Sequence, residues 1–188
     1  MDVKCMKVLG IVCSSRKEGN TEALVREALL GAAEKGADTD LISFANLSID
    51  PCTGCGSCTK TGECVVDDDM KNVYPKLLSA DGIIIGTPVY FWTVTAQAKL
   101  LMDRTYSLHH DRKLRGKICG CIAVAGRRGT ANALAALNMF FLGQDMRPVS
   151  NGVSAYGSGK EDVKNDERGM RGARDLGHMV AETIAEQK

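Results

Sequence analysis

Four cysteines lie close together in the segment PCTGCGSCTKTGEC, residues 51–64 of a chain that has eight cysteines in all. Structural zinc sites generally combine two separated pairs of ligands, so overlapping C-x-x-C units in one short segment suit zinc less well. Three cysteines spaced C-x-x-C-x-x-C can bind three irons of a [4Fe-4S] cluster, and a fourth can reach the last iron. The pattern therefore favours an iron-sulfur cluster, with zinc or free redox-active thiols as alternatives. The four candidate ligands are Cys52, Cys55, Cys58 and Cys64.

A polar segment, SSRKEGNTE at residues 14–22, separates an apolar run from a helical pattern. Free N–H groups at a helix start, together with hydroxyl, amide and guanidinium groups, form a favourable place for a phosphate. The segment has neither the P-loop pattern nor G-x-G-x-x-G, so a phosphomonoester suits it better than a pyrophosphate. The alternative is an ordinary N-capped helix with a polar loop. The polar groups belong to Ser14, Ser15, Arg16, Asn20 and Thr21.

Three consecutive aromatic residues, Tyr90, Phe91 and Trp92, occur in a chain with only 5% aromatic residues. They cannot all face one core layer, and a flat aromatic ligand would explain them. Pro88 fixes the local turn, and the backbone donors after it could hydrogen-bond the edge of a heterocycle. The alternative is an aromatic cluster that covers the end of a sheet. Further along, Gly126 in AGRRGT leaves space for close approach. A phosphate site and a planar site together describe a flavin mononucleotide (FMN) pocket.

Five apolar runs and five helical patterns must position these segments. The predicted strands are residues 7–14, 38–44, 82–90, 117–126 and 147–157, and the predicted helices are residues 20–36, 67–80, 95–108, 129–146 and 175–187. In the first helix Gly36 stands at a left-handed C-cap position, and in the second Pro75 is expected to kink or divide the helix. The acidic residues 67–69 are most simply the first turn of that second helix.

This alternation predicts a doubly wound parallel sheet with strand order 2-1-3-4-5 and helices on both faces. Ligands bind such sheets beyond the carboxyl ends of the strands, beside strands 1 and 3. The loops after residues 14, 90 and 126 all lie at that edge. The connection at residues 45–66 has 22 residues, where loops of this type usually have roughly 2 to 6. It contains the cysteine cluster.

Length and composition indicate one α/β domain spanning residues 1–188, with 44% hydrophobic residues and a net charge of +1. Such a balance implies neither a nucleic acid nor a membrane as a partner. The apolar run near the start is too short for a signal peptide, so we expect a cytoplasmic protein with reduced cysteines. The cysteines outside the cluster, Cys5, Cys13, Cys119 and Cys121, are predicted to be small buried hydrophobes.

Taken together, CSSRKEGNT, PCTGCGSCTKTGEC with the following DDDM, GTPVYFWTVTAQAKLLMDR and AGRRGTANAL resemble the iron-sulfur flavoproteins. These form a branch of the flavodoxin-like NADPH-dependent FMN reductases. The resemblance spans about residues 5–150. It implies that Ser14, Arg16, Asn20 and Thr21 hold the FMN phosphate. It also implies that Pro88, Val89, Tyr90, Phe91, Trp92 and Gly126 line the ribityl chain and ring, and that the four cysteines hold the cluster.

The resemblance implies a redox enzyme in which FMN and the cluster exchange electrons, with no catalytic acid or base required. It further implies a ferredoxin or NAD(P)H as donor, a small-molecule acceptor, and a homodimer or homotetramer. One alternative is an NAD(P)H-dependent FMN or quinone reductase without a cluster. The other is a non-enzymatic electron carrier or redox sensor.

Overall fold

The computed structural model describes residues 5–187, in which strands and helices alternate along the chain. The strands are β1 (Lys7–Val12), β2 (Asp38–Ser43), β3 (Gly82–Pro88), β4 (Ile118–Ala125), β5 (Arg147–Pro148) and β6 (Val153–Tyr156). The helices are α1 (Asn20–Glu34), α2 (Cys58–Thr61), α3 (Met70–Ser79), α4 (Ala96–Arg104), α5 (Tyr106–His109), α6 (Thr130–Gly143) and α7 (Glu167–Ala185). Within the described residues, no helix is both long enough and apolar enough to span a membrane.

The strands form a parallel sheet in the order β2-β1-β3-β4-β5, which confirms the predicted flavodoxin-like order. The central strands β1, β3 and β4 are apolar along nearly their whole length, and Ile11 pairs with Ile85, which pairs with Cys121. Such continuous apolar strands are stable only when both faces of the sheet are covered. Because these strands are parallel, their carboxyl ends meet at one edge of the sheet, where the candidate loops begin.

The predicted fifth strand at residues 147–157 is wrong as a single element. It is two short strands, β5 and β6, which pair with the beginning and the end of β4. Between them Gly152 adopts a φ of 99°, and a Cβ there would lie 2.6 Å from the Cys121 sulfur. The backbone thus leaves the sheet at a left-handed residue that presses against β4, and it rejoins the sheet one residue later.

Helices cover both faces of the sheet, and alternate residues of β3 enter different cores. Ile83 and Ile85 pack with α3, α4 and α6, whereas Ile84 packs with α1 and α7. Leu24, Ala28 and Ala32 of α1 all lie in the second core, as their helical spacing predicts. The cysteine-bearing connection lies on the side of α3 and α4, away from α1 and α7.

Three helix predictions need correction. The helix α3 is continuous through Pro75, so of the expected kink or division the division is wrong. The proline removes the hydrogen bond to the Lys71 carbonyl, while buried Val73 and Leu77 anchor the helix on both sides. The pattern at 95–108 is two helices, α4 and α5. The last helix begins at Glu167, where Asp166 caps it by accepting the Gly169 N–H at 2.9 Å. The predicted left-handed Gly36, with a φ of 84°, is confirmed.

Candidate functional site

A cavity of about 670 Å³ opens at the carboxyl edge of the sheet, beyond β1, β3, β4 and β6. Most of the sequence-predicted cofactor residues lie in it. The predicted residues that line the cavity are Ser14, Arg16, Asn20, Thr21, Pro88, Val89, Tyr90 and Gly126. Phe91 and Trp92 are not part of the lining. Lys17, Gly19, Val124 and residues 157–160 complete the wall.

The loop between β1 and α1 presents an uncapped helix start to this cavity. Gly19 occupies the N-cap position in an extended conformation, and no side chain caps the helix. The expected alternative of a side-chain N-cap is therefore wrong, and the first N–H groups of α1 remain suited to an anion. Ser14 is buried and its Oγ accepts the Arg16 N–H at 3.1 Å. This bond shapes the turn that places Arg16 at the cavity wall.

Asn20 also lines the cavity, but its side chain already binds backbone. Its Nδ2 donates to the Gly159 carbonyl at 2.8 Å, and its Oδ1 accepts the Val163 N–H at 3.4 Å. These bonds join α1 to the loop that follows β6. That loop, residues 157–160, was missed in the sequence, although a Gly/Ser-rich run directly after the last strand of a doubly wound sheet falls at the same edge.

Gly126 at the end of β4 allows the β6 loop to approach closely. A Cβ at this position would lie 3.0 Å from the Ser158 hydroxyl oxygen. A larger residue would therefore push the 157–160 loop away from the strand end and widen that side of the cavity. The space predicted at Gly126 is thus used by the protein's own loop.

The aromatic segment after β3 forms a tight two-residue turn. Tyr90 and Thr93 exchange backbone hydrogen bonds of 3.1 and 3.3 Å, and between them Phe91 and Trp92 both have positive φ, 47° and 72°. This is the type I′ arrangement, which asparagine and glycine normally occupy. Phe91 is 96% exposed, while Trp92 packs over Gly129.

The backbone donors expected to face a heterocycle are partly occupied. The Val89 N–H donates to the Val124 carbonyl at 2.7 Å, and the Tyr90 N–H donates to Thr93. The expectation is therefore wrong for these two groups. The next N–H groups along the chain, those of Phe91 and Trp92, make no hydrogen bond within residues 5–187.

The cysteine-bearing connection is more structured than predicted. A 310 turn, Phe44–Asn46, leads into it, and it contains the short helix α2, which begins at Cys58. Gly54, Gly56 and Gly62 have φ values of 67°, 71° and 74°, which glycine adopts without strain. These residues let the backbone reverse direction between successive cysteines. Cys52 and Cys55 are exposed, and Cys58 and Cys64 are half-buried.

The four thiols of this connection lie near enough to affect one another. Burial raises the pKa of Cys58, and the neighbouring sulfurs of Cys64, Cys52 and Cys55 raise it further. The backbone and hydroxyl of Ser57 lower the pKa of Cys55. Among residues 5–187, no three His, Cys, Asp or Glu side chains are arranged to hold a metal ion.

The cysteines elsewhere in the chain lie mostly where the sequence predicted. Cys13, Cys119 and Cys121 are buried in or beside the central strands, and burial raises the pKa of Cys121 to about 12. Burial of this kind favours the protonated thiol and is typical of structural cysteines. Cys5 is exposed, so the prediction of a buried residue is wrong there. It stands before β1 begins, beyond the cover of the helices.

A buried ion pair, which sequence reasoning missed, lies behind the cysteine connection. The side chains of Arg104 and Asp68 are 0% and 6% exposed, and the guanidinium binds both carboxylate oxygens. Burial opposes ionisation of Asp68, but Arg104 and the N–H groups of Asp50 and Met70 hold its pKa below the ordinary value. The acidic run at 67–69 is therefore not the first turn of α3, because the helix begins at Met70.

Comparison with known proteins places this chain in a family. The model of the NADPH-dependent FMN reductases matches residues 6–161. An iron-sulfur flavoprotein of Methanocaldococcus jannaschii is 43% identical over 188 residues, which covers 95% of this chain and 97% of that protein. An iron-sulfur flavoprotein of Archaeoglobus fulgidus is 33% identical over 184 residues, which covers 95% of this chain and 80% of that protein.

Solved structures agree with the fold. A flavone reductase superposes with a TM-score of 0.79 at 25% identity, covering 97% of this chain and 64% of the flavone reductase chain. A flavodoxin from the domain Archaea superposes with a TM-score of 0.66 at 17% identity, covering 96% of this chain and 99% of the flavodoxin. This match supports the fold alone. The family model, the iron-sulfur flavoprotein relatives and the flavone reductase show that the protein is a flavoprotein oxidoreductase. By fold, family model and sequence identity, the chain belongs to the iron-sulfur flavoprotein branch of the NADPH-dependent FMN reductase family.

Proposed function

We propose that the chain binds FMN in the cavity at the carboxyl edge of the sheet. The observation that carries this proposal is the uncapped start of α1, where Gly19 replaces a capping side chain while Ser14, Arg16 and Thr21 line the same wall. A phosphate placed there would accept the free N–H groups and neutralise the guanidinium. The donors match a phosphomonoester, so the residues fit the group.

The residues would share the binding as follows. Arg16 supplies the charge at the phosphate, and Ser14 and Thr21 supply hydroxyl groups. Asn20 contributes mainly by holding the 157–160 loop against the helix start, since both ends of its amide bind backbone. Val89 and Tyr90 would contact the ring, and the N–H groups of Phe91 and Trp92 are available to its polar edge. Gly126 admits Ser158 to the ribityl side.

We further propose that Cys52, Cys55, Cys58 and Cys64 bind a [4Fe-4S] cluster. Thiolates are the usual ligands of such clusters, and this connection carries four cysteines at C-x2-C-x2-C-x5-C spacing. The left-handed glycines between the cysteines allow the backbone to turn around a bulky group. An N–H from a buried arginine also reaches Cys64, at 3.5 Å, as is common for sulfur ligands.

The proposed activity is electron transfer between a donor and an acceptor. When bound, FMN would supply two-electron uptake with one-electron release, and the cluster would supply one-electron transfer. The chain would hold both groups, orient the flavin and limit its access to water. We propose a ferredoxin or NAD(P)H as donor and a small molecule as acceptor, in a cytoplasmic homodimer or homotetramer.

Anaerobic purification followed by iron, sulfide and flavin counts tests the proposal. We expect about four irons and one FMN per chain. In Cys58→Ser we expect the broad cluster absorbance at about 400 nm to disappear while FMN remains, because the flavin contacts come from other loops. The matched control is Cys119→Ser, a buried strand position that should keep its iron. Four irons retained in Cys58→Ser and Cys64→Ser would exclude this ligand set.

An NAD(P)H-dependent FMN or quinone reductase without a cluster is the second candidate. The family model, which matches residues 6–161 and is described by NADPH-dependent FMN reduction, favours it. It predicts flavin and NADPH turnover in a protein that contains no iron after anaerobic purification. One zinc ion per chain would likewise exclude an iron-sulfur cluster. It would give the cysteines a structural role in place of a redox role.

A further inference from the structure

Arg104 reaches both ends of the cysteine-bearing segment from the carboxyl end of α4. Its Nη1 donates to the Asp50 carbonyl at 2.7 Å, just before the first cysteine. Its Nη2 donates to the Cys64 sulfur at 3.5 Å and to Asp68 Oδ1 at 3.1 Å. One buried guanidinium thus joins residues 50, 64 and 68, which lie 54, 40 and 36 positions away in the sequence.

These bonds would survive in a protein that carries no cluster, since they involve only protein atoms. Asp68 Oδ2 also accepts the Asp50 N–H at 2.8 Å, and Asp68 Oδ1 accepts the Met70 N–H at 3.0 Å. The carboxylate therefore connects the start of the segment to the start of α3. A planar guanidinium can serve a sulfur, a carbonyl and a carboxylate simultaneously, whereas an ammonium group cannot hold this arrangement.

We propose that Arg104 is a positioning residue for the cluster, which fixes the two ends of the segment and raises the cluster's reduction potential through its N–H bond to Cys64. The inference rests on the proposed [4Fe-4S] ligand set. Arg104, which lies outside the cysteine motif, thus helps to set the reduction potential of the cluster.

Hydrogen bonding explains the direction of the effect. Reduction adds one electron to a cluster held by four thiolates, and an N–H donor to a ligand sulfur stabilises the added negative charge. Because the side chain is 0% exposed, dissolved salt screens this interaction little. The ion pair with Asp68 has no net charge, so the donated N–H, and not an overall positive field, is the main source of the shift.

The test compares cluster potentials in three variants of the purified anaerobic protein. Arg104→Lys keeps the charge but loses the planar fork. Arg104→Met combined with Asp68→Asn removes both charges without leaving one unpaired, and the asparagine can still accept a backbone N–H. The control is Arg174→Gln, which removes a paired arginine on the opposite face of the sheet. Each is titrated with dithionite in the presence of redox mediators at measured potentials. Each cluster takes up one electron, and EPR spectroscopy separates this signal from the reduction of FMN.

We expect both Arg104 variants to bind FMN and to be reduced at more negative potentials. The equilibrium constant for cluster reduction should fall at least tenfold, which is about 59 mV for one electron. Loss of iron from both variants with FMN retained would equally support positioning. The Arg174→Gln protein should match the wild type in potential, iron and flavin.

Other results would overturn the inference. Full iron content with unchanged potentials in both Arg104 variants would exclude a tuning role. If only the Arg104→Met/Asp68→Asn variant kept the wild-type potential, Arg104 would serve to pair Asp68 and would not tune the cluster. Loss of FMN together with iron would mark a general folding role. A wild-type protein without iron would instead contradict the proposed ligand set, and the inference with it.

Discussion

At the scale of single residues, Arg16 provides the clearest test of the phosphate site. It lines the cavity beside an uncapped helix start. We expect Arg16→Ala to weaken FMN binding ten-fold to a hundred-fold, because a hydrogen bond to a charged group contributes about 1.5 to 3 kcal/mol. Flavin fluorescence titration of the apoprotein measures this. Arg115→Ala is the control, since Arg115 is exposed and lies outside the cavity lining.

A flavin without the phosphate supplies the complementary measurement. Riboflavin should bind the wild type much more weakly than FMN, and Arg16→Ala should weaken riboflavin binding little. Equal affinities of the wild type for riboflavin and FMN would show that the phosphate is not bound at this helix start.

Residue types and spacing were sufficient to locate much of the cavity wall. Hydroxyl and basic side chains after the first strand, and Tyr90 after the third, fall at the same sheet edge. The use of each group was not predictable, because it depends on distant backbone. Asn20 binds Gly159, 139 positions away, and the direction of Phe91 follows from a turn conformation unusual for its residue type.

At the scale of secondary structure, the helices α1 and α7 pack closely through a glycine. A Cβ at Gly177 would lie 1.8 Å from the Ala28 carbonyl oxygen. Because that oxygen belongs to the backbone of α1, no side-chain rotation relieves the clash. We expect Gly177→Ala to lower the free energy of unfolding by about 3 kcal/mol, measured by urea denaturation.

Gly143 at the end of α6 is the matched control for this prediction. No atom lies within 4 Å of a Cβ placed there. Gly143→Ala should therefore leave the stability unchanged or raise it by up to about 1 kcal/mol through reduced backbone entropy in the unfolded chain. If Gly177→Ala proves equally harmless, the close packing of the two helices is not required.

Periodicity predicted which elements exist better than where they end. The apolar runs of β1, β3 and β4 are unambiguous because both faces of those strands are buried. The split between β5 and β6 depends on contact of Gly152 with Cys121, and the early start of α7 at a glycine-rich, charged sequence depends on the Asp166 cap and on packing against α1. Neither contact is visible in a local window of sequence.

At the scale of the whole molecule, the cysteine-bearing connection should lose its order without unfolding of the sheet. The two apolar cores contain none of the four cluster cysteines. We therefore expect removal of iron by an oxidant and a chelator to leave FMN bound and to make residues 51–66 sensitive to protease. Trypsin followed by mass spectrometry should show cleavage after Lys60 first.

The same digestion of the iron-loaded protein is the reference. Protection of Lys60 with the cluster, and its cleavage without it, is the expected pair of results. Early cleavage within β1, β3 or β4 after iron removal would show that the cluster stabilises the whole fold.

The family resemblance and the strand order were both accessible from the sequence, because each depends on short motifs or on regular alternation. The Arg104–Asp68 pair was not, since its partners lie 36 positions apart and each residue has an ordinary local explanation. An acidic run before a helix usually favours the helix dipole. Only the three-dimensional arrangement shows that Asp68 faces a buried cation.

The turn at Phe91 and Trp92 bears on how this protein would respond to engineering for heat resistance. Left-handed backbone costs about 1 to 2 kcal/mol at each such residue, so Phe91→Asn should raise the free energy of unfolding by about 1 kcal/mol in thermal denaturation. A library ranked by melting temperature would therefore discard this aromatic ring early. The lost ring is 96% exposed and next in sequence to Tyr90 of the cavity wall, so such a selection should measure turnover as well as melting temperature.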